Sequence, residues 1–444
     1  MNTGEYLSRV PGSTAFPSVD AMHAELDALA ATHPDLVRLR RIGTSRLGEP
    51  LRALTVGDGP ADAVVIGGPH PNEPVGGLTV SALIKLLCED PELRAELGHR
   101  WHFVPCADPD GARLNEPWYS RPGDRRGYVR HFFRPDLSEQ VEWTFPLAEG
   151  DYRFDRTLPE TAALMRLMDE VRPSLVYSLH NGEYHGAFFY LNRDNPTLAE
   201  RLAELPGEEG LPLHHGEPEL PGAKPIAPAV YLTPSGAHVG AAFGAGGSSA
   251  DYAARFGALH LVAEVPYWAD DRVSDRSATD RPYGEVVAEA AVARRELIET
   301  LKAAMRAVSD DLTVPSPFRR STESTLETFR RMAELEESRP GPGPGLGRPA
   351  TVAEEFSSHQ TTHLLRLRLL GVFLRMLDAE LAAGNLTPAI REQHRALTER
   401  FDQWYGQAEA DSPGLPVELR KLVAVQLGAA LIAASHTAEG ASPS

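Results

Sequence analysis

The chain has 444 residues and a formal net charge of −18, with 62 acidic residues against 44 Lys and Arg. Nucleic acids and anionic membrane surfaces attract basic proteins, so this charge balance predicts neither as a partner. The length suffices for two or three domains, and the composition is ordinary for a globular protein.

Cysteine usage and the N-terminus indicate the compartment. The two cysteines, Cys88 and Cys106, form no C-x-x-C pair, which argues against a disulfide framework or a thiolate metal site. The first residues lack the basic start and apolar core of a signal peptide. The longest apolar run identified, from Leu369 to Leu374, is far shorter than the ~20 residues that span a bilayer. We therefore expect a cytoplasmic protein without a membrane partner.

Helix and strand patterns alternate over the first 300 or so residues. The apolar periodicity predicts helices over 18–33, 78–87, 160–171, 196–205 and 284–308. Short apolar runs predict strands over 36–39, 51–56, 63–66, 102–106, 175–179, 188–191 and 259–265. Two stretches, 108–146 and 206–234, show no clean period and are interpreted as loops. The alternation is typical of an α/β fold with a mixed, largely parallel twisted sheet flanked by helices.

Beyond Asp311 only helical patterns occur, over 325–337, 352–383, 388–407 and 416–435. A Pro/Gly-rich linker at 339–349 interrupts them. We therefore predict an α/β domain over 1–312 and an all-helical domain over 313–444. A leucine stripe from Leu364 to Leu381 indicates helix packing, either within this bundle, which we favour, or in self-association through the C-terminal helices.

Two strand ends carry side chains that bind metals. His70 and Glu73 follow the strand at 63–66, and His180 ends the strand at 175–179. In open α/β sheets, ligands gather outside the carboxyl ends of the strands. Imidazole nitrogen and carboxylate oxygen are ligands that zinc prefers. Each residue alone is explained by a solvated turn or loop, but together they favour a site for one Zn²⁺ ion.

A series of motifs occurs in order along residues 13–310. It comprises H-P-D-L-V-R-L-R-R-I-G-T-S-R-L-G-E-P-L-R-A-L-T-V-G at 33–57, His70 and Glu73, Pro109-Asp110-Gly111, His180, and Glu264 in L-V-A-E-V. In this order the chain resembles the zinc carboxypeptidase family. The resemblance implies the carboxypeptidase α/β fold over 1–312 and zinc held by His70, Glu73 and His180. It also implies that Glu264 is the general base, which takes a proton from the attacking water and passes it to the leaving amine.

The resemblance further implies a cationic group that stabilises the tetrahedral oxyanion. In the family this is an arginine shortly after the Pro-Asp-Gly segment, and the spacing favours Arg121. Arg113, Arg125 and Arg126 remain alternatives for this role.

Two departures from the family concern the substrate. The usual Asn-Arg pair that binds a C-terminal carboxylate is missing from G-Y-V-R-H-F-F-R-P at 127–135, which leaves Arg130 and Arg134 as substrate-binding candidates. Phe243 stands where the family has a mobile tyrosine, and it has no hydroxyl; we do not assign that role to the nearby Tyr252. We therefore expect hydrolysis of a peptide or amide bond, with C-terminal recognition that differs from the family's usual clamp.

Two other functions remain open. The first is an N-acyl amino acid deacylase with the same metal ligands, so the substrate partner is a peptide or an acyl-amino acid. The second is a ligand-binding homologue without turnover, which the intact Glu264 argues against.

Five other histidines have less support as ligands. His359 and His363 have the i, i+4 spacing of a helical zinc pair, but no Glu follows the first histidine and no third ligand is evident, so a helix surface is favoured. His185 is a weak candidate for the pocket lining, and His214 and His215 have no supporting motif.

Overall fold

Strands and helices alternate over the first 282 residues of the computed structural model, which describes residues 3–220, 223–237, 240, 244–337 and 345–441. The strands are β1 Val37–Thr44, β2 Pro50–Val56, β3 Ala61–Ile66, β4 His99–Val104, β5 Leu147–Glu149, β6 Tyr152–Phe154, β7 Leu175–His180, β8 Phe188–Leu191, β9 Lys224–Ala227, β10 Val230–Leu232, β11 Leu259–Glu264, β12 Trp268–Ala269, β13 Ala278–Pro282, β14 Pro349–Thr351 and β15 Leu415–Pro416. The helices are α1 Thr3–Leu7, α2 Val19–Thr32, α3 Val75–Glu89, α4 Pro91–Leu97, α5 Pro109–Tyr119, α6 Arg125–His131, α7 Pro159–Val171, α8 Pro196–Glu208, α9 Ser249–Ala253, α10 Tyr283–Val308, α11 Pro317–Glu337, α12 Val352–Ala382, α13 Pro388–Asp411 and α14 Leu419–Ala441.

Among the described residues, nine strands form one mixed sheet in the order β1-β2-β4-β3-β7-β11-β8-β10-β9. The central strands β4, β3, β7 and β11 run parallel to their neighbours in this group. Antiparallel pairs extend the sheet on both sides. Every residue of β7 and β11 is buried, as expected for parallel strands that helices cover on both faces. The predicted fold class, a mixed and largely parallel sheet flanked by helices, is confirmed.

The stretch 108–146, interpreted from sequence as a loop, contains two helices, so this prediction was wrong. Helix α5 starts at Pro109, where the missing N–H of proline costs nothing, and the Asp108 side chain accepts a hydrogen bond from the Gly111 amide. The Asp124 side chain caps α6 in the same way at the Gly127 amide. The many Arg, Gly and Pro residues hide the helical period here, while the caps set where each helix begins. The second supposed loop, 206–234, likewise contains β9 and β10.

The helices beyond residue 313 pack on the α/β layers. Residues of α12, α13 and α14 belong to the same hydrophobic cluster as the central strands and α3. On α14, Gln426 accepts from Thr79 of α3 over 2.7 Å and donates to the His180 carbonyl of β7 over 2.7 Å. The Tyr177 hydroxyl donates to the Gln426 carbonyl over 2.9 Å. The two predicted domains therefore share one hydrophobic core. The domain boundary at residue 312 stays a prediction.

The leucine stripe of α12 lies inside this core. Leu364, Leu367, Leu370, Leu374 and Leu377 are buried, which matches the packing interpretation; self-association through these helices stays a prediction. On α14, Leu419–Ala438 is, within the described ranges, the helical stretch whose length and composition match a membrane span. The most apolar 18 residues of this stretch are 72% buried inside the structure.

Candidate active site

His70, Glu73 and His180 meet at the carboxyl ends of β3 and β7. His70 Nδ1 lies 3.1 Å from Glu73 Oε1, and His180 Nδ1 lies 3.0 Å from Glu73 Oε2. All three residues are buried, and one ligand atom from each lies within 4.8 Å of the others. The buried His70 Nε2 has no hydrogen-bond partner among the described residues. Two imidazoles around a buried carboxylate, one of them with an unpartnered ring nitrogen, fit a zinc ion, whose catalytic sites often have a His₂Glu ligand set.

The local fold holds the His70–Glu73 turn rigidly. The Glu73 amide donates to the His70 carbonyl over 3.1 Å, which closes the turn directly before α3. The hydroxyls of Tyr119 and Tyr267 donate to the backbone carbonyls of Pro71 and Asn72 over 3.0 Å and 2.8 Å. The strand leading into the turn, β3, ends at Ile66, and a Cβ on the next residue, Gly67, would lie 2.5 Å from the Pro105 carbonyl oxygen. Only glycine fits this close approach, so the turn has a fixed position on the sheet.

Glu264 lies beside the same cluster because β7 and β11 are parallel and in register. Glu264 pairs with His180 across the two strands, and its Oε1 lies 3.7 Å from His180 Nδ1. Both side chains are buried and project from the ends of their strands. The structure thus brings together all four residues that the sequence assigned to zinc binding and proton transfer.

The pKa values of the two carboxyl groups in the cluster, Glu73 and Glu264, are shifted in opposite directions. Burial raises the pKa of Glu73, but the charges of His70, Arg134 and His180 outweigh it and hold that pKa well below its usual value. Burial, followed by the negative charges of Glu219 and Glu73, raises the pKa of Glu264 well above its usual value. Burial, helped by Arg134, lowers the pKa of His70 to about 4, which favours a neutral imidazole. Glu73 is therefore ionised and suited to bind a metal, while Glu264 has an increased affinity for a proton. Acid–base catalysis requires two carboxyl groups that differ in this way.

Comparison with known proteins assigns the family. The family model of the zinc carboxypeptidases matches residues 22–257, more than half of the chain. The chain belongs to the zinc carboxypeptidase family. Zinc carboxypeptidase A 1 of Anopheles gambiae is 32% identical over 144 residues, which are 30% of this chain and 32% of that protein, so the match spans about a third of that relative.

Solved carboxypeptidases resemble more than half of the chain. Carboxypeptidase A from Helicoverpa armigera is 16% identical, with a TM-score of 0.42, over 57% of this chain and 66% of that one. A metallo-carboxypeptidase from Burkholderia cenocepacia is 17% identical, with a TM-score of 0.38, over 56% of this chain and 60% of that one. The assignment to the zinc carboxypeptidases rests on the family model.

Of the arginines named from sequence, Arg134 reaches the cluster. Its Nε donates to Asn72 Oδ1 over 2.7 Å, and its guanidinium forms an ion pair with Glu73. Arg130 instead forms an ion pair with Asp378 at 2.6 Å and does not line the cavity.

Arg121, the sequence candidate for the oxyanion site, is exposed between α5 and α6 and does not line the cavity. Helices α5 and α6 on either side direct the Arg121 side chain towards solvent. The interpretation of 108–146 as a loop could not show this direction. The three alternative arginines for the oxyanion role also interact with groups outside the cavity. Arg113 bonds Asp20 and Glu49, Arg126 bonds Asp402, and the Arg125 guanidinium lies 4.2 Å from the Tyr184 ring centroid.

Polar residues that the sequence analysis missed support His180 from behind. His180 Nε2 lies 3.0 Å from Ser178 Oγ, which donates to Glu142 Oε2 over 3.4 Å. The Ser249 amide and hydroxyl donate to Glu142 Oε1 over 3.0 Å and 2.6 Å, and that hydroxyl lies 2.8 Å from His260 Nε2. Hydrogen-bonded neighbours of this kind fix the ring orientation of a metal ligand. The sequence held one signal for these neighbours, since Ser178 and His260 are polar residues inside the otherwise apolar strands β7 and β11.

A cavity of about 520 Å³ opens at the cluster. One part of its lining comes from the sheet and its loops, including His70, His180, Glu264 and Arg134. Another part comes from α11 and α12, through Phe329, Leu365, Arg368 and Leu369. The C-terminal helices, which had no assigned role, therefore form part of the active-site cavity.

The remaining sequence candidates lie away from this cavity. The rings of His185 and His214 pack on each other with centroids 4.8 Å apart, and neither lines the cavity. His359 and His363 lie 3.7 Å from Glu289 and 3.6 Å from Asp411, in a separate groove on α12. Among the described residues, only His70, Glu73 and His180 form a group that could hold a metal ion. The Tyr252 hydroxyl donates to Asp169 over 2.8 Å, and Phe243 lies outside the described residues.

Proposed function

We propose that this protein is a zinc-dependent peptidase that hydrolyses an amide bond within the 520 Å³ cavity. His70, Glu73 and His180 would hold one Zn²⁺ ion. When bound, zinc supplies Lewis-acid polarisation of the scissile carbonyl and lowers the pKa of water to about 7. The observation that carries the proposal is the buried His/Glu/His group with Glu264 in register beside it.

Glu264 is the proposed general base. It accepts a proton from the attacking water and then donates that proton to the nitrogen of the leaving amine. Its raised pKa suits both halves of this transfer, since the carboxylate must first accept and later hold the proton. A bound divalent cation lowers this pKa from its metal-free level, because positive charge favours the ionised carboxylate.

Arg134 is the proposed cationic group that stabilises the developing oxyanion. This assignment replaces Arg121 because Arg134 lines the cavity and is fixed by its bond to Asn72, whereas Arg121 is exposed. A preorganised cation in a site that excludes water acts on developing charge without reorganising.

Deacylation of an N-acyl amino acid is the second candidate function. The observation that favours it is the lining from α11 and α12, which gives the cavity side walls suited to a small substrate. Both functions break an amide bond with the same residues. They differ in the length of the acyl portion that the cavity accepts.

A hydrolysis screen with zinc-loaded protein tests the proposal. The panel contains N-acylated dipeptides, longer peptides and N-acyl amino acids, and each is assayed with wild-type protein and the Glu264→Gln variant. We expect turnover in the wild type that requires zinc and falls in Glu264→Gln. Preference for peptides over single acyl-amino acids assigns peptidase activity, and the reverse order assigns deacylase activity. Absence of turnover across the panel contradicts both functions.

A further inference from the structure

One side chain of the C-terminal helix α14 bonds to the backbone beneath the proposed metal centre. Gln426 is fully buried. Its side-chain Nε2 donates to the His180 carbonyl over 2.7 Å and to the Ala263 carbonyl over 3.4 Å. Its Oε1 accepts from the Thr79 hydroxyl over 2.7 Å. A single amide therefore connects α14 to three other elements, β7, β11 and α3.

Each of these three elements carries a residue of the proposed centre next to the bonded group. His180 is itself a proposed ligand, and Ala263 directly precedes Glu264 on β11. Thr79 lies on α3, the helix that directly follows the His70–Glu73 turn. A shift of the Gln426 amide would therefore be transmitted to the backbone of every part of the centre.

The sheet alone holds the end of β7 on one side. Pairing between β3 and β7 ends where Ile66 lies opposite Ser178, whereas β11 continues beside β7 as far as His180. A buried carbonyl needs a donor, and the Gln426 amide supplies one to His180. The Tyr177 hydroxyl in turn donates to the Gln426 carbonyl over 2.9 Å, which fixes α14 against the same strand.

The ring and the backbone of His180 are thus held by different groups. Ser178 Oγ lies 3.0 Å from the ring nitrogen Nε2, and Gln426 bonds the carbonyl. The other ring nitrogen, Nδ1, lies 3.0 Å from Glu73 Oε2. Zinc sites require ligand distances within about 0.2 Å of their usual values, so a small movement of this backbone matters.

We infer that Gln426 is a positioning residue for the metal centre, which holds the His180 backbone at the place where the imidazole and Glu73 can share one ion. The inference rests on the proposed function, because it takes His70, Glu73 and His180 as the ligands. Gln426 lies beyond the segment 22–257 that matches the family model. Helix α14 therefore adds to the centre a contact that the matched segment does not supply.

Metal affinity tests the role of Gln426 without requiring turnover. Gln426→Met replaces the amide with an apolar side chain of similar length. Zn²⁺ affinity of the full chain is measured by competition with a chromophoric chelator, and Co²⁺ is titrated in parallel because its d–d absorption bands report the ligand geometry. We expect Gln426→Met to bind Zn²⁺ about 10–100-fold more weakly than the wild type, the usual cost of removing a group that supports a ligand. The Co²⁺ bands should change as well.

Thr437→Val is the matched control on the same helix. The Thr437 hydroxyl lies 3.1 Å from His99 Nε2, at the start of β4 and so at the opposite end of the parallel strands from the metal centre. This variant should lose stability to denaturant, as Gln426→Met does, but keep the wild-type Zn²⁺ affinity and Co²⁺ spectrum.

A second variant covers a failure of Gln426→Met to fold. Adding Thr79→Val leaves no unpaired hydroxyl at that position, and the double variant should show the same loss of Zn²⁺ affinity. Wild-type Zn²⁺ affinity and a wild-type Co²⁺ spectrum in either Gln426 variant overturn the inference. Failure of both variants to fold also overturns it, because Gln426 would then be a residue of the core alone.

The outcome also separates this inference from the proposed function. If the wild type binds Zn²⁺ but hydrolyses nothing, and Gln426→Met weakens that binding, the proposed function fails and the inference stands. If the wild type turns over substrate and Gln426→Met keeps the full metal affinity and spectrum, only the inference fails. A wild type that binds neither Zn²⁺ nor Co²⁺ contradicts both.

Discussion

The two linings of the cavity are built in different ways. His70, His180 and Glu264 project from the ends of adjacent parallel strands, where backbone pairing fixes their spacing. Phe329 and Arg368 project from α11 and α12, whose positions depend on packing between distant parts of the chain. We propose that the sheet side of the cavity cleaves the amide bond and that the helix side selects the substrate. Variants of the sheet side should therefore change turnover, and variants of the helix side should change selectivity.

The largest effect is expected from His70→Ala. Loss of one of three proposed ligands should abolish zinc binding and, with it, most of the rate enhancement, which in enzymes is typically about 10⁶-fold or more. Metal content by mass spectrometry and hydrolysis rate are the two measurements. His359→Ala is the matched control, because His359 lies in the separate groove of α12. Full zinc content in His70→Ala would remove His70 from the site.

Glu264→Gln separates proton transfer from metal binding. The amide cannot accept the proton, so kcat should fall by about 10²–10⁴-fold, the usual contribution of a general base. Zinc content should stay at the wild-type level, because Glu264 is outside the proposed ligand set. Wild-type kcat in this variant would show that another group is the base.

The variants Arg134→Gln and Arg121→Gln compare the arginine next to Glu73 with the arginine predicted from sequence spacing. In Arg134→Gln we expect kcat to fall by about 10²–10³-fold, as for loss of an oxyanion donor. Arg121→Gln, the matched control, changes an exposed side chain and should leave kcat unchanged. The opposite result for the two variants would restore Arg121 as the oxyanion residue.

Phe329→Ala should change selectivity and leave the cleavage step intact. Removing the ring from the helical lining should lower kcat/KM for a leucine-terminated substrate about tenfold, while an alanine-terminated substrate changes little. Rates for the two substrates give the ratio. An equal loss for both substrates would indicate that α11 acts on the cleavage step itself.

The smallest effect concerns the pH dependence of kcat/KM. Glu264 must be ionised to act as a base, so activity falls as pH decreases through its pKa. Burial, then Glu219 and Glu73, raises that pKa, and Glu219→Gln removes one of these negative charges. The pKa of Glu264 should therefore fall, and the acidic limb of the pH profile should move to lower pH. A limb that stays in place, or moves to higher pH, would contradict this electrostatic account.

The site residues on the sheet could be predicted from the sequence because their positions depend on local patterns. An apolar strand followed by a ligand residue places that residue at the sheet edge, and parallel strands bring such edges together. This reasoning predicted that His70, Glu73 and His180 converge, and the structure places them side by side. The resemblance to the zinc carboxypeptidases added Glu264, which lies beside His180 on the neighbouring strand. The motif order also indicated the family that the comparison assigned.

The rest depended on packing between distant segments. Arg121 was predicted for the oxyanion, and Arg134 was considered only for substrate binding. Because α5 and α6 were not predicted, the direction of each arginine side chain could not be judged. Nothing near Phe329 or Arg368 in sequence indicates contact with a cavity formed by β3, β7 and β11. That contact follows from the shared core between the C-terminal helices and the sheet.

The most direct test of the zinc centre is anomalous X-ray diffraction from zinc-loaded crystals at the zinc absorption edge. The account predicts one strong peak, with the His70, Glu73 and His180 side chains as its protein ligands. A strong peak at His359 and His363, with none at His70, would contradict it.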